Sequence, residues 1–101
     1  MEFLRAISAV CIIDAGQITI PVEMHNQLGW QPGDNLDIIS NKKFRFLELI
    51  KRENGRLNVD SYGRVAIPDD YLYEMHWGDG HQVTARLNVE AGSVSLLRCR
   101  M

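Results

Sequence analysis

Apolar and polar residues alternate with a period of two in several short stretches of the chain. Residues 17–20 (QITI) and 64–67 (RVAI) both show this alternation, and each run ends at a proline, Pro21 or Pro68. Alternation of this kind predicts half-buried strands. Proline is favoured at the first position of a helix because its missing N–H is not needed there, so we predict that both prolines open helices.

Each predicted helix is about two turns long and ends at a residue suited to a left-handed conformation. Gly29 follows the first helix, and His76, a residue type found more often than most at positive φ, follows the second. Turns are predicted at Pro32-Gly33 and Asp79-Gly80. Two hairpins should come after these turns, NLDIIS with FRFLELI and QVTARLNV with SVSLLRC.

The two halves of the chain repeat each other at a constant interval of 47 residues. The matched pairs are Gly16 and Gly63, Ile20 and Ile67, Pro21 and Pro68, Trp30 and Trp77, and Gly33 and Gly80. Such a constant interval indicates an internal duplication, and two copies are too few for a solenoid. We therefore predict a single domain over residues 1–101 made of two pseudo-symmetric repeats, about 6–52 and about 56–101, with KRENGR (51–56) as the connector.

The composition is that of an ordinary globular domain, with 46% hydrophobic and 24% charged residues. A net charge of −2 argues against a protein whose whole surface is basic, so a role in DNA binding would need a local basic patch. No window approaches the roughly 18 apolar residues of a membrane span. The N-terminal run ISAVCII lacks the flanks of a signal peptide. We expect a cytoplasmic protein without a membrane partner.

The residues that most often carry catalysis or bind metals show no recognised pattern. His25, His76 and His81 have no cysteine or carboxylate at a metal-ligand spacing, and the chain has no glycine-rich phosphate loop or nucleophile elbow. Cys11 and Cys99 lie in apolar runs, which favours buried thiols over a disulfide or redox pair. We expect neither enzymatic activity nor a cofactor or metal.

The residues that recur in the two halves resemble the AbrB-like family of swapped-hairpin domains (SpoVT-AbrB, related to MazE and MraZ). The first copy contributes Asp14, Gly16-Gln17, Thr19-Ile20-Pro21, Leu28-Gly29-Trp30 and Pro32-Gly33-Asp34, and the second contributes Asp60-Ser-Tyr-Gly-Arg64 and Val65-Ala-Ile-Pro68. The resemblance implies a mainly β fold with short helices, namely a double-psi or swapped-hairpin β-barrel whose pseudo-symmetric repeats exchange hairpins. The tandem arrangement is similar to that of MraZ-like members.

The resemblance also implies DNA binding by a homodimer, as a transcriptional regulator or as the antitoxin of a toxin–antitoxin pair. The family uses basic residues in its Asp-x-x-Gly-Arg turn and on its short helix. By position, Arg64 matches the arginine of that turn, Gln17 takes its place in the first copy, and His25 and Asn26 lie at the helix positions. Glutamine and asparagine side chains can still pair with an adenine edge.

The densest run of basic residues is Lys42, Lys43 and Arg45, on the first predicted hairpin. These residues are candidate DNA contacts, and the alternative is a solvated hairpin tip that discourages aggregation. Asp69 and Asp70, at the start of the second predicted helix, suit the helix dipole but would repel a phosphate. The alternative function is therefore a protein-interaction or toxin-neutralising module with reduced or absent DNA binding. We predict core or interface packing for Trp30 and Trp77, in preference to base stacking.

Overall fold

The computed structural model describes residues 8–98, which form strands and short helices. The elements in chain order are β1 (Ser8–Ile12), β2 (Gln17–Thr19), α1 (Val22–Leu28), β3 (Asn35–Asn41), β4 (Phe46–Lys51), β5 (Leu57–Asn58), β6 (Arg64–Ala66), α2 (Asp69–Met75), β7 (Gln82–Asn88) and β8 (Ser93–Arg98). The prediction of a mainly β chain with short helices is confirmed.

Most of the strands join one antiparallel sheet that curls into half a barrel. Its strand order is β1-β7-β8-β4-β3-β5, and β2 pairs with β6 in a separate two-stranded sheet. The first strand of each half therefore pairs with the hairpin of the other half, because β1 lies against β7 and β5 lies against β3. These long-range pairings make the two halves share one core.

The elements recur along the chain with the spacing seen in the sequence. β2, α1, β3 and β4 each have a counterpart of the same length 47 residues later. The first strands differ from this spacing by one residue: Ile12 pairs with Gln82, while Asn58, 46 residues after Ile12, pairs with Asn35. The difference arises in the following turn, which runs from Asp14 to Gly16 in the first half and from Asp60 to Gly63 in the second.

Proline and left-handed residues delimit both helices. Pro21 and Pro68 have φ of −55° and −58° and lie immediately before the first helical residues, one position earlier than predicted. Gly29 at φ 70° and His76 at φ 59° end the helices, as predicted.

The first hairpin is shorter than the sequence pattern predicted. The predicted strand FRFLELI begins at residue 44, whereas β4 begins at Phe46. Arg45 has φ 58°, a left-handed value that does not belong to a strand, and Asn41 Oδ1 accepts the N–H of Phe44 at 2.9 Å. The side chain of Asn41 therefore extends the turn into the predicted strand.

The core lies between the concave side of the large sheet, the β2-β6 pair and the helices. Its largest fully buried side chains are Ile13, Ile18, Ile20, Met24, Leu36, Leu47, Leu49, Val59, Val65, Val83, Val94 and Leu96. Trp30 and Trp77 also belong to this core, with 4% and 6% of their surfaces exposed, as predicted. Cys11 is buried there too, and Cys99 lies outside the described residues.

No helix among residues 8–98 is both long enough and apolar enough to cross a membrane.

Candidate nucleic-acid interface

The turn from Asp60 to Arg64 is held by its first residue. Asp60 Oδ1 accepts the backbone N–H groups of Tyr62 and Arg64, each at 2.8 Å. Asp60 Oδ2 accepts the Nε–H of Arg64 at 2.7 Å. An aspartate that accepts hydrogen bonds from the backbone of the residues after it stabilises a tight turn. One carboxylate thus fixes both the backbone of the turn and the orientation of the Arg64 side chain.

Arg64 also stacks on an exposed aromatic ring. Its guanidinium carbon lies 4.9 Å from the centroid of the Tyr62 ring, which is 75% exposed. The Arg64 side chain itself remains 43% exposed. A guanidinium is weakly hydrated and stacks readily on aromatic faces while keeping donors for further contacts. The turn therefore presents an oriented cation next to an exposed ring.

The environment of Asp60 keeps its carboxylate ionised. The backbone N–H of Arg64 is the largest influence that lowers the pKa of Asp60, followed by the Arg64 side chain and the backbone N–H of Tyr62, while partial desolvation opposes them. Hydrogen bonds to a carboxylate favour its charged form. At neutral pH Asp60 and Arg64 therefore form an ion pair. The turn as a whole contributes less positive charge than an isolated arginine would.

The corresponding turn of the first half has a different construction. Asp14 and Gln17 exchange backbone N–H and C=O groups at 2.9 Å, and Ala15 lies at the left-handed φ of 52°. The N–H of Gly16 donates to Asp79 Oδ1 at 3.1 Å. Gln17 is half-buried in the β2-β6 pair. This turn is held by backbone bonds and by a distant carboxylate, and it presents no cation.

His25 lies beneath the second turn and does not reach far into solvent. Only 7% of its surface is exposed, and its Nε2 is 3.3 Å from the carbonyl oxygen of Gly63. Its ring meets Trp30 edge-on, with centroids 5.9 Å apart. His25 therefore connects α1 to the Asp60–Arg64 turn. Asn26, the next residue along α1, is exposed.

A groove of about 500 Å³ separates α1 from this turn. Pro21, Val22 and Asn26 lie along one side, and Ser61 and Tyr62 lie along the other. Val22, one of its apolar lining residues, is 72% exposed. Polar side chains such as Asn26 and Ser61 also line the groove, so it offers both kinds of contact.

The structure thus brings Arg64, His25 and Asn26 into one region. Gln17 belongs to the other turn, but it pairs with Ala66, two residues from Arg64, and so lies on the same side of the β2-β6 pair as Arg64.

The basic run of the first hairpin forms a separate exposed cluster. Lys42 Nζ lies 3.7 Å from Glu74 Oε2 of α2, and Lys43 Nζ lies 5.5 Å from the centroid of the Phe44 ring. Arg45 is exposed in the same turn. Within residues 8–98 no hydrogen bond, ion pair or ring contact joins these side chains to the Asp60–Arg64 turn.

Carboxylates accompany several other basic side chains. Lys51 Nζ lies 3.1 Å from Asp34 Oδ2, and Arg56 Nε lies 4.0 Å from Asp37 Oδ1. The pKa of Asp34 is lowered first by the backbone N–H of Gln31 and then by Lys51. Pairing of this kind reduces the net positive field that the surface offers to a polyanion.

Two features of this site were missed in the sequence. Tyr62 supports the arginine, and Gly63 supplies the carbonyl that His25 contacts. The position of Tyr62 inside the Asp-x-x-Gly-Arg turn could have suggested the stacking, whereas the contact across 38 residues had no local signal. In the described part of the chain, no group of three or more His, Cys, Asp and Glu residues is arranged to hold a metal ion.

No protein-family model matches the chain, and no curated protein matches it either. The functional interpretation therefore depends on the geometry of these residues and on the resemblance noted in the sequence.

Proposed function

We propose that the protein is a DNA-binding regulator of the AbrB type, acting in the cytoplasm, with Arg64 as its principal DNA contact. The oriented Arg64 side chain, fixed by Asp60 and stacked on Tyr62, is the observation that carries this proposal. The curled sheet and the exchanged first strands support the further proposal of a swapped-hairpin barrel as the framework.

An arginine that is already oriented suits phosphate and guanine recognition. Guanidinium groups bind these acceptors through paired donors in a fixed plane. Because the bond to Asp60 uses Nε, the outer guanidinium nitrogens are the donors that we assign to DNA. A side chain that is ordered before binding loses less conformational entropy on binding. The turn can therefore contribute to affinity although it is a single cation.

Other residues would extend the contact from both sides of Arg64. Asn26 lies on the opposite side of the groove and could read a base edge, while Lys42, Lys43 and Arg45 would add phosphate contacts at the hairpin tip. Gln17 would make a neutral contact from the first turn. Since each chain has one Asp60–Arg64 turn, a homodimer would supply two such contacts to a symmetric operator.

A titration of mixed-sequence duplex DNA at low salt tests this function. The electrostatic part of DNA binding is strongest under these conditions, so the wild-type chain should bind detectably and Arg64→Ala should bind more weakly. We expect the loss to be about 1–3 kcal/mol if Arg64 contacts a base, and less if it contacts only phosphate. Absence of wild-type binding, or equal binding by the variant, would refute the assignment.

The second candidate is a protein-interaction module, such as the antitoxin of a toxin–antitoxin pair. The ion pairs of Lys42, Lys51 and Arg56 with neighbouring carboxylates favour it, since they weaken the attraction to DNA. Asp69 and Asp70 are exposed at the start of α2 and would repel phosphate. If the low-salt titration shows no binding, co-purification with the product of an adjacent gene becomes the test of this candidate.

A further inference from the structure

The groove between α1 and the Asp60–Arg64 turn has the size and the lining of a ligand site. Its volume of about 500 Å³ lies within the range of pockets that bind small organic groups. The lining is mainly apolar, with Val22 on one side and Tyr62 on the other. These two side chains are 72% and 75% exposed, so the mouth of the groove is open to solvent.

Tyr62 gives the groove an aromatic surface on which a planar group can stack. The guanidinium of Arg64 lies 4.9 Å from the centroid of this ring, and Arg64 does not itself line the groove. A ring has two faces, and one guanidinium covers only one of them. Because Tyr62 is 75% exposed, ring surface remains for a second stacking partner. Nucleobases stack on exposed aromatic rings of this kind.

Polar side chains near the ring can meet the edge of a planar ligand. Asn26 and Ser61 line the groove, and neither side chain hydrogen-bonds to another residue in the part of the chain that the structure describes. An amide offers two donors and an acceptor, and a hydroxyl can donate or accept. The edges of nucleobases carry the same mixture of donors and acceptors. The groove therefore offers partners for both the face and the edge of a base.

The charges around the groove favour a ligand that carries a phosphate. Asp60 is the only carboxylate among the described lining residues, and it accepts two backbone N–H groups and the Nε–H of Arg64. Its negative charge is therefore compensated within the turn. The Arg64 side chain is 43% exposed, and its outer guanidinium nitrogens remain as donors for a phosphate.

We propose that this groove binds one unpaired base of a DNA strand, stacked on Tyr62, with the adjoining phosphate on Arg64. The base must be unpaired because the faces of bases in a duplex are already stacked on their neighbours. Extruding a base from a duplex costs unstacking and unpairing energy, which a single strand avoids. The site therefore prefers single-stranded or locally opened DNA.

The inference rests on the proposed function, since it uses Arg64 as a DNA contact, and it adds a ligand for the groove beside that residue. The first turn has no equivalent stacking surface, because Ala15 occupies the position 47 residues before Tyr62. Each chain therefore has one base site of this kind at its two turns.

Fluorescence anisotropy with one labelled mixed-sequence oligonucleotide, as a single strand and as its duplex, tests the inference on the full chain at low salt. Tyr62→Ala should weaken single-strand binding at least about fivefold, as the loss of one base stacked on an aromatic ring does. Duplex affinity should stay nearly unchanged, because Asp60 still holds Arg64. Tyr62→Phe keeps the ring and should bind both forms as the wild type does. The matched control is Tyr73→Ala, which removes a tyrosine that is 84% exposed on α2 and should affect neither form.

Chemical-shift mapping of the wild-type chain makes the test independent of how the variants fold. The methyl signals of Val22 should move more with the single strand than with the duplex, because the ring current of a base in the groove acts at short range. The methyl signals of Val89, which is 50% exposed in the second hairpin turn, are the control and should not move.

The outcomes separate this inference from the proposed function. Equal effects of Tyr62→Ala on the two DNA forms, or Val22 signals that do not move at saturating single strand, overturn the inference. If Arg64→Ala still weakens duplex binding in that case, the proposed function stands without it. A wild-type chain that binds neither form overturns both.

Discussion

The two turns that follow the first strands of the halves, 14–17 and 60–64, share a position in the fold but differ in chemistry. Both lead into a strand of the β2-β6 pair, and both offer a glycine carbonyl to the other half: Gly63 accepts the N–H of Ile20, and Gly16 accepts the N–H of Ile67. Only the second turn has a carboxylate that holds an arginine. The backbone hydrogen bonds of the two glycine carbonyls are common to both turns and maintain the fold. The side chains of Asp60 and Arg64, which the first turn lacks as a pair, carry the candidate function.

The helix residue that lies against each turn also differs between the two halves. His25 contacts the second turn from α1, and the residue 47 positions later is Leu72 of α2, which lies close to Gly16. The turn with the oriented arginine is thus contacted by a polar helix side chain, His25, and the other turn is contacted by an apolar one, Leu72. The turn at residues 60–64 and the helix residue that contacts it thus differ together from their counterparts in the first half.

The largest effect that we predict distinguishes the two glycines. A methyl group on Gly63 would lie 3.0 Å from His25 Nε2 and 3.4 Å from Ile20 O, whereas one on Gly16 would meet only Leu72 at 3.7 Å. Both have left-handed φ, which costs a non-glycine residue about 1–2 kcal/mol. Crowding should add roughly 1–3 kcal/mol for Gly63→Ala alone. Urea denaturation of the two alanine variants measures the difference. Equal losses of stability would show that the surroundings of Gly63 are no more crowded than those of Gly16.

The charge of Asp60 should make part of the stability depend on pH. Because its pKa is lowered from the usual 3.8 by hydrogen bonds present only in the folded state, it contributes stability above that value. This contribution falls as the pH drops from about 4 through the pKa of the folded state. Asp60→Asn keeps the shape of the side chain and removes its charge.

Denaturation of the wild type and Asp60→Asn should therefore differ by a constant amount near neutral pH, and by progressively less below pH 4. Asp14→Asn, the counterpart in the first turn, is the matched comparison. A difference for Asp60→Asn that does not change across this pH range would mean that the ion pair contributes nothing to the turn.

The smallest effect is expected at His25. His25→Leu gives the first helix the residue type found in the second, and the carbonyl of Gly63 still accepts the N–H of Ile20 at 3.0 Å. Since no buried carbonyl loses its last partner, we expect a change in unfolding free energy within about 1 kcal/mol. A loss of several kcal/mol in urea denaturation would show that the histidine itself determines the packing of this turn.

Much of the local structure could be predicted because local rules determine it. Pro21 and Pro68 mark the helix starts to within one residue, and Gly29 and His76 mark the ends. The pairing of β1 with β7 had no local signal, because it joins residues 70 to 78 positions apart.

The environment of the candidate site was less predictable. Arg64 and Asp60 are four residues apart, so their pairing lies within one turn and could be anticipated. The burial of His25 depends on a segment 38 residues away and on Trp30, and nothing in the helix pattern distinguishes it from its exposed neighbour Asn26. Tertiary packing determines which of two adjacent polar residues can reach a ligand.

The central claim is that Arg64 is the cation through which the chain contacts DNA, and the salt dependence of binding tests it most directly. Affinity for one duplex should be measured over a series of salt concentrations for the wild type, Arg64→Ala and Arg52→Ala, an exposed control in the connector. We predict that Arg64→Ala reduces the slope of log affinity against log salt by about one, as loss of one phosphate contact does, while Arg52→Ala leaves it unchanged. Identical slopes and affinities for the wild type and Arg64→Ala would contradict the account.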